Sequence, residues 1–146
     1  MAHLADSNIL LRIEEPEHEM HKATVDTLKR LRENGEHLYI LRQNLYEFWN
    51  VSTRPKDKNG LGKTVEEADY SIEKLLSLFT LLPEKELIFW EWKRLCVFYS
   101  VKGVQVHDAR IASVMLVHGI THILTFNADD FKRFEGITAV RPSEVK

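Results

Sequence analysis

With one cysteine in 146 residues, Cys96, an internal disulfide is excluded, and no histidine lies near it in sequence to make a thiol nucleophile. A reducing compartment follows, and a cytoplasmic location is expected. No charged-then-apolar leader opens the chain, and no apolar run approaches the roughly 20 residues that span a bilayer, so no membrane partner is expected. Neither sign of charge dominates: 20 Lys and Arg against 22 Asp and Glu leave a formal charge of -2. A polyanion would therefore have to be held by a local patch or by bound cations. Gly-rich phosphate loops, HExxH and Cys/His zinc spacings are missing as well, which removes the commonest nucleotide and zinc chemistries. There is no internal repeat and no low-complexity segment. The length fits one domain over residues 1–146 with a full core.

What is present is organised around Ala2–Leu11, a short apolar strand that runs directly into Asp6-Ser7-Asn8. A carboxylate where an apolar run stops lies at the carboxyl edge of a sheet, where open α/β sheets bind ligands. Either Ser7 or Asn8 caps the helix begun by Ile9, Leu10 and Leu11, or Asp6 is itself the N-cap and Asn8 a turn residue. After Pro16, a helix with Val25, Leu28 and Leu31 facing inwards ends at Gly35. Leu38–Leu41 reads as a strand.

From Asn44 to Thr53, Leu45, Phe48, Trp49 and Ser52 fall on one helical side, with Glu47 among them. Glu47 is either an acid favoured by the helix dipole in the first turns or a group projecting to the same edge as Asp6. The loop that follows carries Arg54, Lys56, Lys58 and Lys63 against Asp57, and these cations are candidate phosphate contacts. Thr64 and Glu67 make a capping box for a helix with its stripe at Val65, Ala68, Ile72, Leu75, Leu76 and Phe79. Thr80–Leu82 reads as a strand closed by Pro83. The helix from about Lys85 to Ser100 is apolar nearly all round, which predicts burial on more than one side.

Asp108 opens a further helix on its apolar side, three and four residues before Ile111 and Ala112, and Gly119 stops it. His107 points about 100° away from Asp108 on such a helix and reads as structural. The strand Thr121–Thr125 leads into Asn127-Ala128-Asp129-Asp130, and Ile137–Val140 is a last strand.

Strands alternating with helices predict a mostly parallel sheet covered on both faces. Asp6 and Asn127 then meet at its carboxyl edge, with Glu47 and Asp108 reaching in from helices. Three carboxylates and an amide form a hard-oxygen site suited to Mg²⁺ or Mn²⁺. The chemistry that follows is metal-assisted phosphodiester hydrolysis. An aspartyl phosphotransfer site would want an acid two residues after Asp6, where Asn8 stands.

Four segments in this order, Asp6-Ser7-Asn8, Tyr46-Glu47-Phe48, His107–Ala112 and Thr125–Phe131, resemble the PIN domain family over nearly the whole chain, and within it the VapC-type toxins of toxin-antitoxin pairs. The resemblance implies a three-layer α/β/α sandwich with strand order 3-2-1-4-5. It implies Asp6, Glu47 and Asp108 as metal-binding acids and Asn127 at a fourth position that is often Asp, with Ser7, Asn8, Thr125 and Asp130 in support. It further implies an endoribonuclease with an RNA substrate, a homodimer and an antitoxin partner. Asn127 in place of an acid leaves open a second reading, a non-catalytic module that binds RNA or protein.

Overall fold

The computed structural model describes Met1–Lys146. Five strands form one all-parallel sheet: β1 (Ala2–Ala5), β2 (His37–Ile40), β3 (Thr80–Leu81), β4 (His122–Leu124) and β5 (Thr138–Val140). Their order is 3-2-1-4-5, as expected, with β1 paired to β2 on one side and to β4 on the other. Six helices flank the sheet: α1 (Ser7–Ile13), α2 (His21–Glu33), α3 (Arg42–Thr53), α4 (Val65–Leu78), α5 (Leu87–Phe98) and α6 (Val106–His118). No helix is long and apolar enough to cross a membrane.

Alternation along the central strands divides the core in two. Leu4 and Ile123 face a layer built with Ile88 and Leu95 of α5 and with Ile111, Ala112 and Met115 of α6. Their neighbours Ala5 and Leu124 face the opposite layer, with Ile9 and Leu10 of α1, Leu28 of α2, Phe48 of α3 and Leu75 of α4. This is the period-two pattern of a sheet buried on both faces. The helices bearing Glu47 and Asp108 therefore lie on opposite sides of the sheet and come near each other only at its edge.

Several boundaries and faces differ from the sequence reading. Of the two capping readings at the start of α1, Asp6 is the cap, its side chain accepting from the Ser7 N–H, and Ser7 and Asn8 are not. In α2 the inward residues are Thr24, Thr27, Leu28 and Leu31, and Val25 is turned to solvent. A threonine can take that place because its methyl packs while its hydroxyl finds a carbonyl: Thr24 bonds Met20 O and Thr27 bonds Pro142 O. In α4, Val65 and Leu76 are exposed while Ala68, Ser71 and Leu75 are buried. The capping box of Thr64 and Glu67 is present.

The largest difference is at α5, which buries only Ile88 and Leu95. Leu87, Phe89, Trp90, Val97 and Phe98 are each more than half exposed, because α5 packs on α6 and the sheet and nothing covers its outer side. Two glycines have steric reasons. Gly119 caps α6 in the left-handed region at φ +71, and a Cβ on Gly60 would sit 1.9 Å from the Arg54 carbonyl oxygen.

Candidate active site

The order 3-2-1-4-5 places the topological switch between β1 and β4, and both strands end there in residues that hydrogen-bond to each other. Asp6 follows β1 and is buried. Its Oδ1 accepts the Ser7 N–H at 2.8 Å and its Oδ2 accepts the Thr125 hydroxyl at 2.8 Å. Thr125 Oγ1 in turn accepts from Asn8 Nδ2 at 3.2 Å and from the Asn127 N–H at 3.0 Å. One hydrogen donated and two lone pairs filled exhaust what a hydroxyl can do. Asn8 closes the ring by accepting the Phe126 N–H at 3.2 Å. Thr125 thus ties the loop after β4 to the loop after β1.

Glu47 is the sixth residue of α3, because the helix begins two residues earlier than the sequence suggested. The first-turn dipole explanation therefore does not apply to it. Glu47 is half-buried and its Oε1 is shielded from solvent with no hydrogen-bond partner in the chain. Burial, then the charges of Asp6 and Asp108, push its carboxyl up to about 7. Asp108 is in the first turn of α6, half-buried, and is raised to about 6 by burial and by the charges of Asp130 and Asp6. The charges of His107 and Arg133 pull it the other way but do not win. Asp6 is also raised, burial outweighing the bonds from Thr125 and Ser7.

The three acids thus share one field. They do not close on a point: no three His, Cys, Asp or Glu side chains form a ready ligand group.

Around this trio the sequence candidates separate. Ser7, Asn8 and Thr125 are all bonded into the ring on Asp6. Asn127 is exposed, and what it brings to the ring is its backbone N–H. The fourth acid that the others sense is Asp130, one helical turn on, whose charge raises both Asp6 and Asp108. Sequence reading ranked these two the other way because it matched a position in a motif; Asp130 is itself exposed in the turn Ala128–Phe131 and acts on Asp6 and Asp108 through its charge. Arg133 was missed altogether, and no signal in its neighbourhood marks it.

Of the four loop cations, Arg54 donates to Asn59 O at 2.8 Å and Lys63 to Glu14 O at 3.2 Å. These two hold the loop together. Lys56 and Lys58 are exposed and in no ion pair.

Comparison with known proteins gives the family and the fold. The model of the PIN domain matches residues 4–137. The chain belongs to the PIN domain family. Among solved structures, the VapBC2 structure from Rickettsia felis, bound to a DNA fragment from its promoter, has a chain that superposes at a TM-score of 0.72 with 18% identity, covering 97% of this chain and 98% of that one. VapBC-1 from nontypeable Haemophilus influenzae gives 0.71 with 16% identity and covers 98% and 99%. A toxin-antitoxin complex from Klebsiella pneumoniae gives 0.65 with 20% identity, again over 98% and 99%. At these identities the likeness is one of fold. Among curated proteins, none matches the chain in sequence. This PIN chain therefore carries its own residues as the argument for what its site does.

Proposed function

We propose that this PIN protein is a metal-dependent endoribonuclease and the toxin of a toxin-antitoxin pair, cytoplasmic and folded as one domain over residues 1–146. The observation that carries the reading is the trio of raised acids at the switch point, with a buried Glu47 oxygen that nothing in the chain satisfies. Like-charged carboxylates held in a shared field are costly unless a cation neutralises them. All the donors are oxygens, which fits Mg²⁺ or Mn²⁺ and not a soft metal. Asp6, Glu47 and Asp108 would hold the ion, with Asp130 adding charge.

When bound, such an ion supplies an activated water and stabilises the departing oxygen of a phosphodiester. The chain's own part is to keep Asp6 fixed by Thr125 and Ser7 and to keep Glu47 and Asp108 poised. Their raised proton affinity belongs to the metal-free chain; an ion between them would keep both carboxylates ionised as oxygen donors. Lys56 and Lys58 are the free cations for RNA phosphates. Their loop follows the C-terminal end of α3, so any phosphates they meet lie away from the cut bond along the RNA strand.

The deciding experiment is cleavage of RNA by purified protein in Mg²⁺, Mn²⁺ or EDTA beside Asp6→Asn. Cleavage that requires metal and is lost in the variant is expected; RNA binding without cleavage under every condition would instead favour the non-catalytic module. Replacing Lys56 and Lys58 together by Ala is expected to weaken RNA binding and flatten its salt dependence by up to about two charges. An unchanged salt slope would remove the loop from the interface.

An antitoxin partner is supported by the toxin-antitoxin complexes among the fold relatives. A homodimer is supported by the outer side of α5. There Leu87, Trp90, Val97 and Phe98 form an apolar surface that nothing in the chain covers, and a second copy of the same helix would cover it. Light scattering that gives the mass of one chain, with Trp90→Glu unchanged from wild type, would refute that pairing.

A further inference from the structure

α3 and α6, on opposite faces of the sheet, carry Glu47 and Asp108, and the hydrogen bonds between these helices all pass through one side chain. Gln43 is the second residue of α3, buried, and one helical turn before Glu47 on the same side. Its Nε2 donates to the carbonyl of His107, the residue immediately before Asp108, at 3.0 Å. Its Oε1 accepts from Arg110 Nη1 at 3.4 Å. Arg110 Nη2 then forks onto Glu84, at 3.0 Å to Oε1 and 2.9 Å to Oε2. The carboxamide is satisfied at both ends by the first turn of α6, and the guanidinium that holds it is itself anchored to the segment before α5.

We infer that Gln43, braced by Arg110 and Glu84, is a positioning residue that sets the distance between Glu47 and Asp108 across the edge of the sheet. The inference rests on the reading of these acids as a divalent-ion site. Repulsion drives the two carboxylates apart, and no backbone hydrogen bond between α3 and α6 resists it, since each acid is on a helix of a different layer. A short tie one turn below the acids is the element that can. Gln suits the task because it donates and accepts at once without adding a third charge. Arg110 is not a partner of the acids: its charge is taken up by Glu84, and it acts through Gln43.

The test uses Mn²⁺ affinity of the intact protein, with Gln43→Leu, Arg110→Ala and the double variant. Partners that orient metal ligands are worth about 10-fold or more in affinity when removed. Gln43→Leu is expected to weaken Mn²⁺ binding about 10-fold, Arg110→Ala to weaken it by less, and the double variant to be no worse than Gln43→Leu alone. The sign for Arg110→Ala is diagnostic, because loss of a cation near three acids would by charge alone tighten Mn²⁺. Unchanged or tighter binding, or additive losses in the double variant, would overturn the inference. So would a lower thermal midpoint with unaltered affinity, which is what a merely structural bond gives. If Gln43→Leu does not fold, the sign of Arg110→Ala decides alone.

Hydrogen exchange in metal-free protein separates the two readings. The Ile111 N–H, which by helical spacing bonds the same His107 carbonyl, is expected to exchange faster in both variants while α1 is unchanged. A wild type that binds no Mn²⁺ would refute the divalent-ion site, and faster exchange would still support the tie. Unchanged exchange at Ile111 would overturn the tie whatever the metal result.

Discussion

Replacing Asp108 by Asn is expected to abolish the proposed metal-dependent RNA cleavage and, in the same protein freed of metal, to raise the thermal midpoint at pH 8. Both effects come from one charge. Loss of a carboxylate that holds the ion is expected to reduce cleavage by about 10³-fold or more, as for groups that stabilise charge in the reaction. The stability gain comes from no longer burying that charge and, second, from relieving its repulsion by the neighbouring acids. Glu47 at about 7 and Asp108 at about 6 stand well above their ordinary values of 4.5 and 3.8. Between about pH 4 and pH 7 the folded chain therefore holds protons that the unfolded chain has released, and stability falls as pH rises. Removing Asp108 takes away its own share of that fall and one of the charges that raises Glu47.

Both groups are half exposed, so the gain is discounted to about 1 kcal/mol, or about 3 °C in a chain of this size. Melting curves from pH 5 to pH 8 in EDTA check it. The wild type should lose stability along the series and the variant should lose less. Identical slopes would mean that neither burial nor its neighbours raise Asp108 in the folded chain. Mn²⁺ added to the wild type should erase the slope and release protons as it binds.

Thr125→Val is expected to destabilise the fold by about 2 kcal/mol, while Thr125→Ser stays close to wild type. Valine matches threonine in shape, so the cost isolates the hydroxyl. Without it, buried Asp6 Oδ2 loses its donor and Asn8 Nδ2 its acceptor. The exposed Asn127 N–H can turn to water, so it adds little. About 2 kcal/mol corresponds to about 6 °C. Denaturant titration at pH 7 checks the loss, and Val and Ser variants of equal stability would show that the hydroxyl ring is not what holds Asp6. Cleavage should fall in the Val variant as well, since the Asp6 carboxyl would be free to turn away from its neighbours.

The parallel sheet was legible because short β-rich runs alternate with strongly periodic helices, and Asp6, Asp108 and Thr125 because they sit where such elements begin or end. The strand order came only with the resemblance to the PIN domain family, and Glu47 stands in the middle of α3. Depth was less legible. The uniform hydrophobicity of α5 reads as burial on several sides, yet periodicity carries no information about whether a neighbour exists to cover each side. Val25 and Thr24 show the same limit at single positions: hydropathy favours the valine, and the hydroxyl bond to Met20 O decides for the threonine. In the site, a motif position drew attention to Asn127, whereas the field at Asp6 and Asp108 depends on the turn that places Asp130. Gln43 carried no sequence signal of its own beyond standing four residues before Glu47, because its partners are 64 and 67 residues away.

The central strand of the sheet is the first one made, and its partner on one side is the fourth. Asp6 and the hydroxyl that fixes it are 119 residues apart in the chain. A nascent chain on the ribosome can pair β1 with β2 early, but the edge where ligands would bind stays unbuilt until β4 has emerged. Such long-range pairing is slow to form. For a chain with the activity proposed, synthesis itself is then a safeguard: an unfinished copy has an aspartate but no threonine to hold it, and cannot cut the message from which it is being read.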